Sequence, residues 1–188
     1  RIAIAGNLID MGANGRLTNA EIEKSMGSAL QENFWGDEEF FLKEVAKAKH
    51  ILYLADNAGE IAFDKLLIEQ ISPERVTLAV RGSPIINDAT LIEAKEIGLD
   101  RLVKVISNGS DAPGTILNDC NPKFQKFFRE ADLIIAKGQG NFESLSHHAG
   151  NIFFLFKIKC PVIANQINQP IGTQVLIHHE TCIRTSPF

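Results

Sequence analysis

Apolar residues fall along this chain in short consecutive runs, separated by stretches where they recur every three or four positions. Runs of strand length occur at Ile2–Ala5, Ile51–Ala55, Val76–Val80, Val103–Ile106, Leu133–Ala136, Ile152–Phe156 and Val175–Ile177. Several are apolar at successive rather than alternate residues, the pattern of strands covered on both faces. Helical stretches lie between them, at Ile22–Leu30, Glu38–Lys47, Ile61–Gln70, Asp88–Ile97 and Pro122–Glu130, with shorter pieces after Asn141 and Cys160. In the second of these, Leu42, Val45 and Ala46 form an apolar stripe backed by Lys and Glu. The alternation predicts one α/β domain over residues 1–188: a doubly wound, mainly parallel sheet in a three-layer α/β/α, Rossmann-like arrangement. The tail from Ile177 has no periodicity and reads as loop.

Composition narrows the function classes. A chain of 188 residues, 45% hydrophobic and 22% charged, can bury a substantial core. Its net charge of -4 argues against a nucleic-acid partner, which calls for a strong basic surface. No run approaches the ~20 apolar residues of a membrane span. Cys120, Cys160 and Cys182 are too scattered for a disulfide framework or a Cys-rich zinc site, which points to reduced thiols in the cytoplasm. Arg1 runs straight into apolar residues with no polar lead-in, so a preceding N-terminal segment is expected.

The chemistry lies where the strands end. Asp56-Asn57-Ala58-Gly59-Glu60 follows the second apolar run and places a carboxylate and a carboxamide at a strand exit. In open α/β sheets, ligands bind beyond the carboxyl ends of the strands. Asp and Asn there suit Mg²⁺ or Mn²⁺, which prefer carboxylate, carbonyl and water oxygens. The alternative is an Asx turn that caps the next helix. Asp88 is open in the same way, as a third ligand or as the N-cap of the helix it precedes. The other strand exits carry Asn7 and Asp10, Asn108 and Asp111, and Lys137-Gly138-Gln139-Gly140-Asn141. Lys137 follows a wholly apolar strand, which favours an anion-binding role over a solvated lysine. The glycines after it can form a backbone nest for an anion, although their spacing matches neither GxGxxG nor a Walker A loop. His147 and His148 read as a packed or surface pair, and Cys160 as a small buried residue.

These segments together resemble the metal-dependent damage-control phosphatases, also catalogued as domain of unknown function 89, in their compact stand-alone prokaryotic form. The resemblance rests on Gly6-Asn7-Leu8-Ile9-Asp10, Asp56-Asn57-Ala58-Gly59-Glu60, Gly82-Ser83-Pro84 with Asn87-Asp88-Ala89-Thr90, Lys137 to Glu143, and Lys159-Cys160-Pro161-Val162. It implies metal ligation by Asp56, Asn57 and Asp88, with Mg²⁺, Mn²⁺, Co²⁺ or Ni²⁺ as the cofactor. Phosphate and substrate contacts are expected from Asn7, Asp10, Glu60, Asn108, Lys137, Gly138, Asn141 and Lys159. The catalytic residues are expected to be Asp56, Asp88 and Lys159. Residues Gln139 to Glu143 keep the Asn of the larger eukaryotic members but lack their Asp and Arg, so substrate preference does not carry over. The resemblance also implies an N-terminal helical region with a Cys-x-x-Cys element, which residues 1–188 are expected to lack.

The reading is a divalent-metal phosphatase acting on small phosphorylated metabolites, such as sugar phosphates or phosphorylated cofactor intermediates. Asp56 or Asp88 is expected to act as nucleophile or as base toward water, and the residues leave open which. The rival is a non-catalytic Rossmann-like module that holds a metabolite or nucleotide. A methyltransferase needs more glycine after the first strand than Gly6 alone supplies.

Overall fold

The computed structural model describes residues 1–5, 27 and 30–185. Seven strands form one sheet: β1 (Phe34–Gly36), β2 (Ile51–Leu54), β3 (Val76–Val80), β4 (Lys104–Ser107), β5 (Leu133–Lys137), β6 (Ile152–Lys157) and β7 (Gln174–His178). Their spatial order is β1-β7-β6-β5-β2-β3-β4. Every neighbouring pair is parallel except β6 and β7, which run antiparallel with Leu155 opposite Leu176. Helices connect them: α1 (Ile2–Ala5), α2 (Glu38–Lys47), α3 (Ile61–Gln70), α4 (Leu91–Glu96), α5 (Pro122–Glu130), α6 (Gln139–Leu145), α7 (Pro161–Ile167) and α8 (His179–Thr185).

The consecutive apolar runs behave as expected of strands buried on both faces. Alternate residues of each strand enter separate cores. Ile51, Tyr53, Leu78, Val80, Leu133, Ile135 and Phe153 face α2, α3 and α4, together with Phe41, Val45, Ile61 and Ile68. Leu52, Leu54, Ala79, Ile134, Ala136, Phe154 and Phe156 face α5, α6 and α7, together with Phe124, Phe142 and Ile163. The sheet is thus the middle of three layers.

From β2 the chain winds outward through β3 to β4, then returns so that β5 lies on the other side of β2. The carboxyl ends of β2 and β5 therefore flank the point where the winding reverses. In this architecture that is where ligands bind.

Four local expectations change. Ile2–Ala5 is a short helix, not a strand; so short an apolar run carries no period to separate the two, and no strand pairs with it. Its Ala3 and Ile4 are buried. Residues 178–185 are not loop: β7 continues to His178 and α8 follows. Strand β1, with three residues, is too short to show a period. The helix expected over Asp88–Ile97 begins at Leu91, because Thr90 takes the cap. Most of the helix expected over Ile22–Leu30, and all of Gly6 to Asp10, lie outside the described residues.

Candidate metal and phosphate site

Strand β2 hands the chain directly to Asp56 and Asn57. The main chain then ties this turn to the loop after β3. Ala89 N donates to Asp56 O and Ala58 N donates to Asn87 O, each at 2.8 Å. An isolated bridge pairs Asn57 with Asp88. The three expected metal ligands are therefore brought together by backbone hydrogen bonds between adjacent strand exits.

Asp88 is not the helix cap. Thr90 makes a capping box with Glu93: Ile92 N donates to the Thr90 hydroxyl at 3.2 Å and Thr90 N to Glu93 Oε2 at 2.7 Å. That frees the Asp88 carboxylate for the site. Its Oδ2 accepts from Arg81 Nε at 2.6 Å, and the two side chains are 7% and 3% exposed. The Arg81 terminal nitrogens make only long contacts, 3.4 Å to Thr115 Oγ1 and 3.5 Å to Asn141 Oδ1. Arg81 was not among the residues expected at the site. Its signal was the same as that of Lys137: a basic residue at the end of a buried strand.

Asp56 lies against β5. A Cβ built on Gly138 would fall inside the Asp56 carboxylate, so glycine is what leaves room for it. Gly138 also has φ +82, a conformation that side chains rarely tolerate. The Asp56 carboxyl is pushed up to about 7, first by burial and then by the charges of Glu60 and Asp88, against the pull of Lys137 and Lys159. Asn57 Nδ2 donates to Asp56 Oδ2 at 3.2 Å and to Glu60 Oε1 at 2.9 Å.

Lys137 does not stand at the rim as its position suggested. It is fully buried, with its ammonium on Asp64 Oδ1 at 2.6 Å, Glu60 Oε2 at 3.1 Å and Ala3 O at 2.6 Å. All three donors are used, so none is left for a phosphate. Burial lowers its pKa, but Asp64 and Glu60 outweigh it and hold the group well above the ordinary lysine range. Glu60 is likewise turned inward, 2% exposed, rather than toward a substrate.

The other expected contacts are distributed unevenly. Asn141, wholly buried at the start of α6, donates to Ala55 O and Lys137 O and accepts from Thr115 Oγ1. It joins the ends of β2 and β5 and has no donor left over. Asn108 uses its side-chain oxygen within its own loop, accepting from Ser110 N at 3.0 Å. Lys159 is exposed two residues beyond β6, and its backbone N–H donates to Gln139 Oε1 at 2.9 Å. Its charge is felt at Asp56. Asn7 and Asp10 lie outside the described residues. His147 and His148 are exposed, as a surface pair should be. Beside Asp88, Ile86 is 84% exposed with φ +49, a conformation that costs a β-branched residue ~1–3 kcal/mol and that no sequence signal announced.

The donor set fits a divalent cation. Among the described residues no three His, Cys, Asp or Glu side chains form a cage, but Mg²⁺ is typically held by one or two carboxylates with waters. The charge balance is the stronger observation. Among the described residues, Asp56, Glu60, Asp64 and Asp88 have buried side chains, with Lys137 and Arg81 as the buried cations paired to them. With all four carboxyls ionised, as cation binding favours, four against two leaves a formal surplus of two negative charges, the amount one divalent ion neutralises. A cavity of about 770 Å³ opens elsewhere, at the amino-terminal edge of β2, β3 and β4. Its Arg75 is spent on the carbonyls of Val45, Ala48 and Ile71, and its Lys104 lies over the Phe127 ring. The carboxyl edge, in contrast, gathers the carboxylates of Asp56 and Asp88 beside Asn57.

Comparison with known proteins shows the family. The family model of the damage-control phosphatase ARMT1-like domain matches residues 1–175. A damage-control phosphatase of Pyrococcus horikoshii is 41% identical over 186 residues, covering 96% of this chain and 64% of the relative. An uncharacterized protein of Methanocaldococcus jannaschii is 43% identical over 183 residues, covering 93% of this chain and 60% of the relative. The crystal structure of a DUF89 family protein from Pyrococcus horikoshii superposes with a TM-score of 0.87 at 40% identity, covering 95% of this chain and 64% of that one. The chain thus spans less than two thirds of the length of these relatives.

Proposed function

This chain belongs to the damage-control phosphatase ARMT1-like domain family, and we propose that it is a divalent-metal-dependent phosphomonoester hydrolase acting on small phosphorylated metabolites in the cytoplasm. The observation that carries the reading is the buried surplus of two negative charges where the winding of the sheet reverses, with Gly138 shaped around the Asp56 carboxylate. Among the described residues no helix is long and apolar enough to cross a membrane.

Asp56, Asn57 and Asp88 would hold the cation, which when bound polarises the phosphoryl group and offsets its charge. Arg81 keeps one oxygen of Asp88 occupied and so limits the directions in which the other can ligate. Lys159, exposed at the mouth and electrostatically coupled to Asp56, meets the phosphate oxygens as their charge builds up. Asn141 keeps the ends of β2 and β5 at a constant separation. Asp56 and Asp88 remain the two candidates for nucleophile or base.

The test is phosphate release from a panel of sugar phosphates and phosphorylated cofactor intermediates, with Mg²⁺, Mn²⁺, Co²⁺ or Ni²⁺ and with chelator. Release that depends on metal is expected. Release that survives chelation, or tight metabolite binding with no release under any metal, overturns the reading.

Lys159→Met isolates the phosphate contact. The residue is exposed, so stability should change by no more than ~0.5 kcal/mol. Turnover should fall on the order of a hundredfold, as for one lost oxyanion contact. Activity within a few-fold of the parent would remove Lys159 from the site.

A further inference from the structure

We propose that Lys137 and Glu60 are positioning residues that set which end of the Asn57 carboxamide faces the cation. They do so without contacting cation or substrate. The inference rests on the metal-site reading above and gives a role to two buried charges that reading leaves unused.

An Asn side chain offers a hard cation its oxygen, never its NH₂ group. Left to itself the amide can present either end. Here Nδ2 donates to two carboxylate oxygens, Glu60 Oε1 at 2.9 Å and Asp56 Oδ2 at 3.2 Å. Turning the amide over would set its oxygen against both, losing two hydrogen bonds and bringing like partial charges together. The pair of acceptors therefore favours the orientation that directs Oδ1 away from them.

Glu60 can act as that acceptor only if it is itself held. Its second oxygen, Oε2, accepts from the Lys137 ammonium at 3.1 Å. The ammonium is anchored in turn by Asp64 Oδ1 and Ala3 O, both at 2.6 Å, and Asp64 Oδ1 also accepts from the Tyr53 hydroxyl at 2.7 Å. Lys137, Asp64 and Tyr53 have no exposed surface at all. The result is a chain from Tyr53 through Asp64, Lys137 and Glu60 to Asn57, of the kind by which outer partners orient metal ligands.

Glu60→Gln tests the chain with almost no change of shape. A Gln can turn its oxygen to Asn57 only by pointing its NH₂ at the Lys137 ammonium, donor against donor. The buried ammonium holds the Gln oxygen, which sets NH₂ against NH₂ at Asn57 and removes one of the two bonds that orient its amide. Mn²⁺ affinity, read by electron paramagnetic resonance of the ion without substrate, should drop about 10–100-fold. The Asn57 side-chain NH₂ signal in NMR, distinctive while bound to two carboxylates, should shift as one of those two acceptors is lost.

Loss of one negative charge would also weaken Mn²⁺ binding, and the triple variant Glu60→Gln, Asp64→Asn, Lys137→Met separates the causes. It changes the net charge by the same amount as Glu60→Gln alone, yet removes the opposing ammonium, so Gln at 60 is free to accept from Asn57. Recovery to within a few-fold of the parent is expected. Equal weakness in both variants, or an unchanged NH₂ signal in Glu60→Gln, overturns the proposal. If the triple variant does not fold, the NMR signal of the single one still decides. If the parent binds no Mn²⁺ that Asp56→Asn abolishes, the metal-site reading fails instead, and the NH₂ signal tests the orientation separately.

Discussion

Asp56→Asn should abolish metal-dependent phosphate release and at the same time make the metal-free protein more stable above neutral pH. The first effect follows from losing a direct ligand, which should exceed the ~10–100-fold cost of disturbing an outer partner. The second follows from linkage. The Asp56 carboxyl is raised to about 7 by burial and by Glu60 and Asp88, whereas in the unfolded chain it titrates near ~4. Between those values the folded state binds the extra proton, so stability falls as pH rises through the window. The penalty is fully present above about 7 and absent below ~4. Asn carries no such penalty. Denaturant melts of both proteins in chelator, at pH 5 and pH 8, measure the difference, which should favour the variant and widen at the higher pH. A variant less stable than the parent at pH 8 would mean that the carboxylate has a structural role. The combination is the mark of a group kept for ligation at the expense of the fold.

Gly138→Ala should be nearly as damaging, although it adds one methyl group. That methyl would fall within the Asp56 carboxylate, and the backbone there has φ +82 and ψ 156, a region essentially restricted to glycine. Strain alone should cost ~1–3 kcal/mol. The displaced carboxylate should cost most of the cation affinity as well. Gly98→Ala is the control. Gly98 also has positive φ, +74, but nothing lies within 4 Å of its added Cβ, so that variant should lose ~1 kcal/mol of stability and keep its metal affinity. Calorimetric Mn²⁺ titration of the two variants separates strain from displacement. Full affinity in Gly138→Ala would show that Asp56 moves freely and would discount the cradle.

Much of the candidate site was legible in the sequence. Asp56 and Asn57 stand immediately after an unbroken apolar run of strand length, and a glycine two residues on opens the turn. Lys159 was found beyond its strand for a similar reason, although β6 ends at Lys157. Asp88 was ambiguous because Asn87-Asp88-Ala89-Thr90 offers several side chains able to cap. The ambiguity ended in favour of Thr90 because Glu93 stands three residues after it and completes the reciprocal pair.

The sequence by itself determined the features written within a few residues: strands from consecutive apolar runs, helices from their period and caps, oxygen ligands at strand exits. These depend on local sterics and on burying apolar surface, which any short window carries. Only the tertiary structure decided where the charges went. Lys137 looked like a free ammonium beside the crevice, and its partners lie 73, 77 and 134 residues away in the chain. No local pattern encodes such a meeting. An ammonium at the end of a buried strand must find acceptors or leave the core, and which it does depends on whether α1 and α3 bring a carbonyl and two carboxylates to it. The same holds for Ile2–Ala5, which is a helix because of what it packs against, and for Arg81, whose bond to Asp88 exists because two strand exits meet.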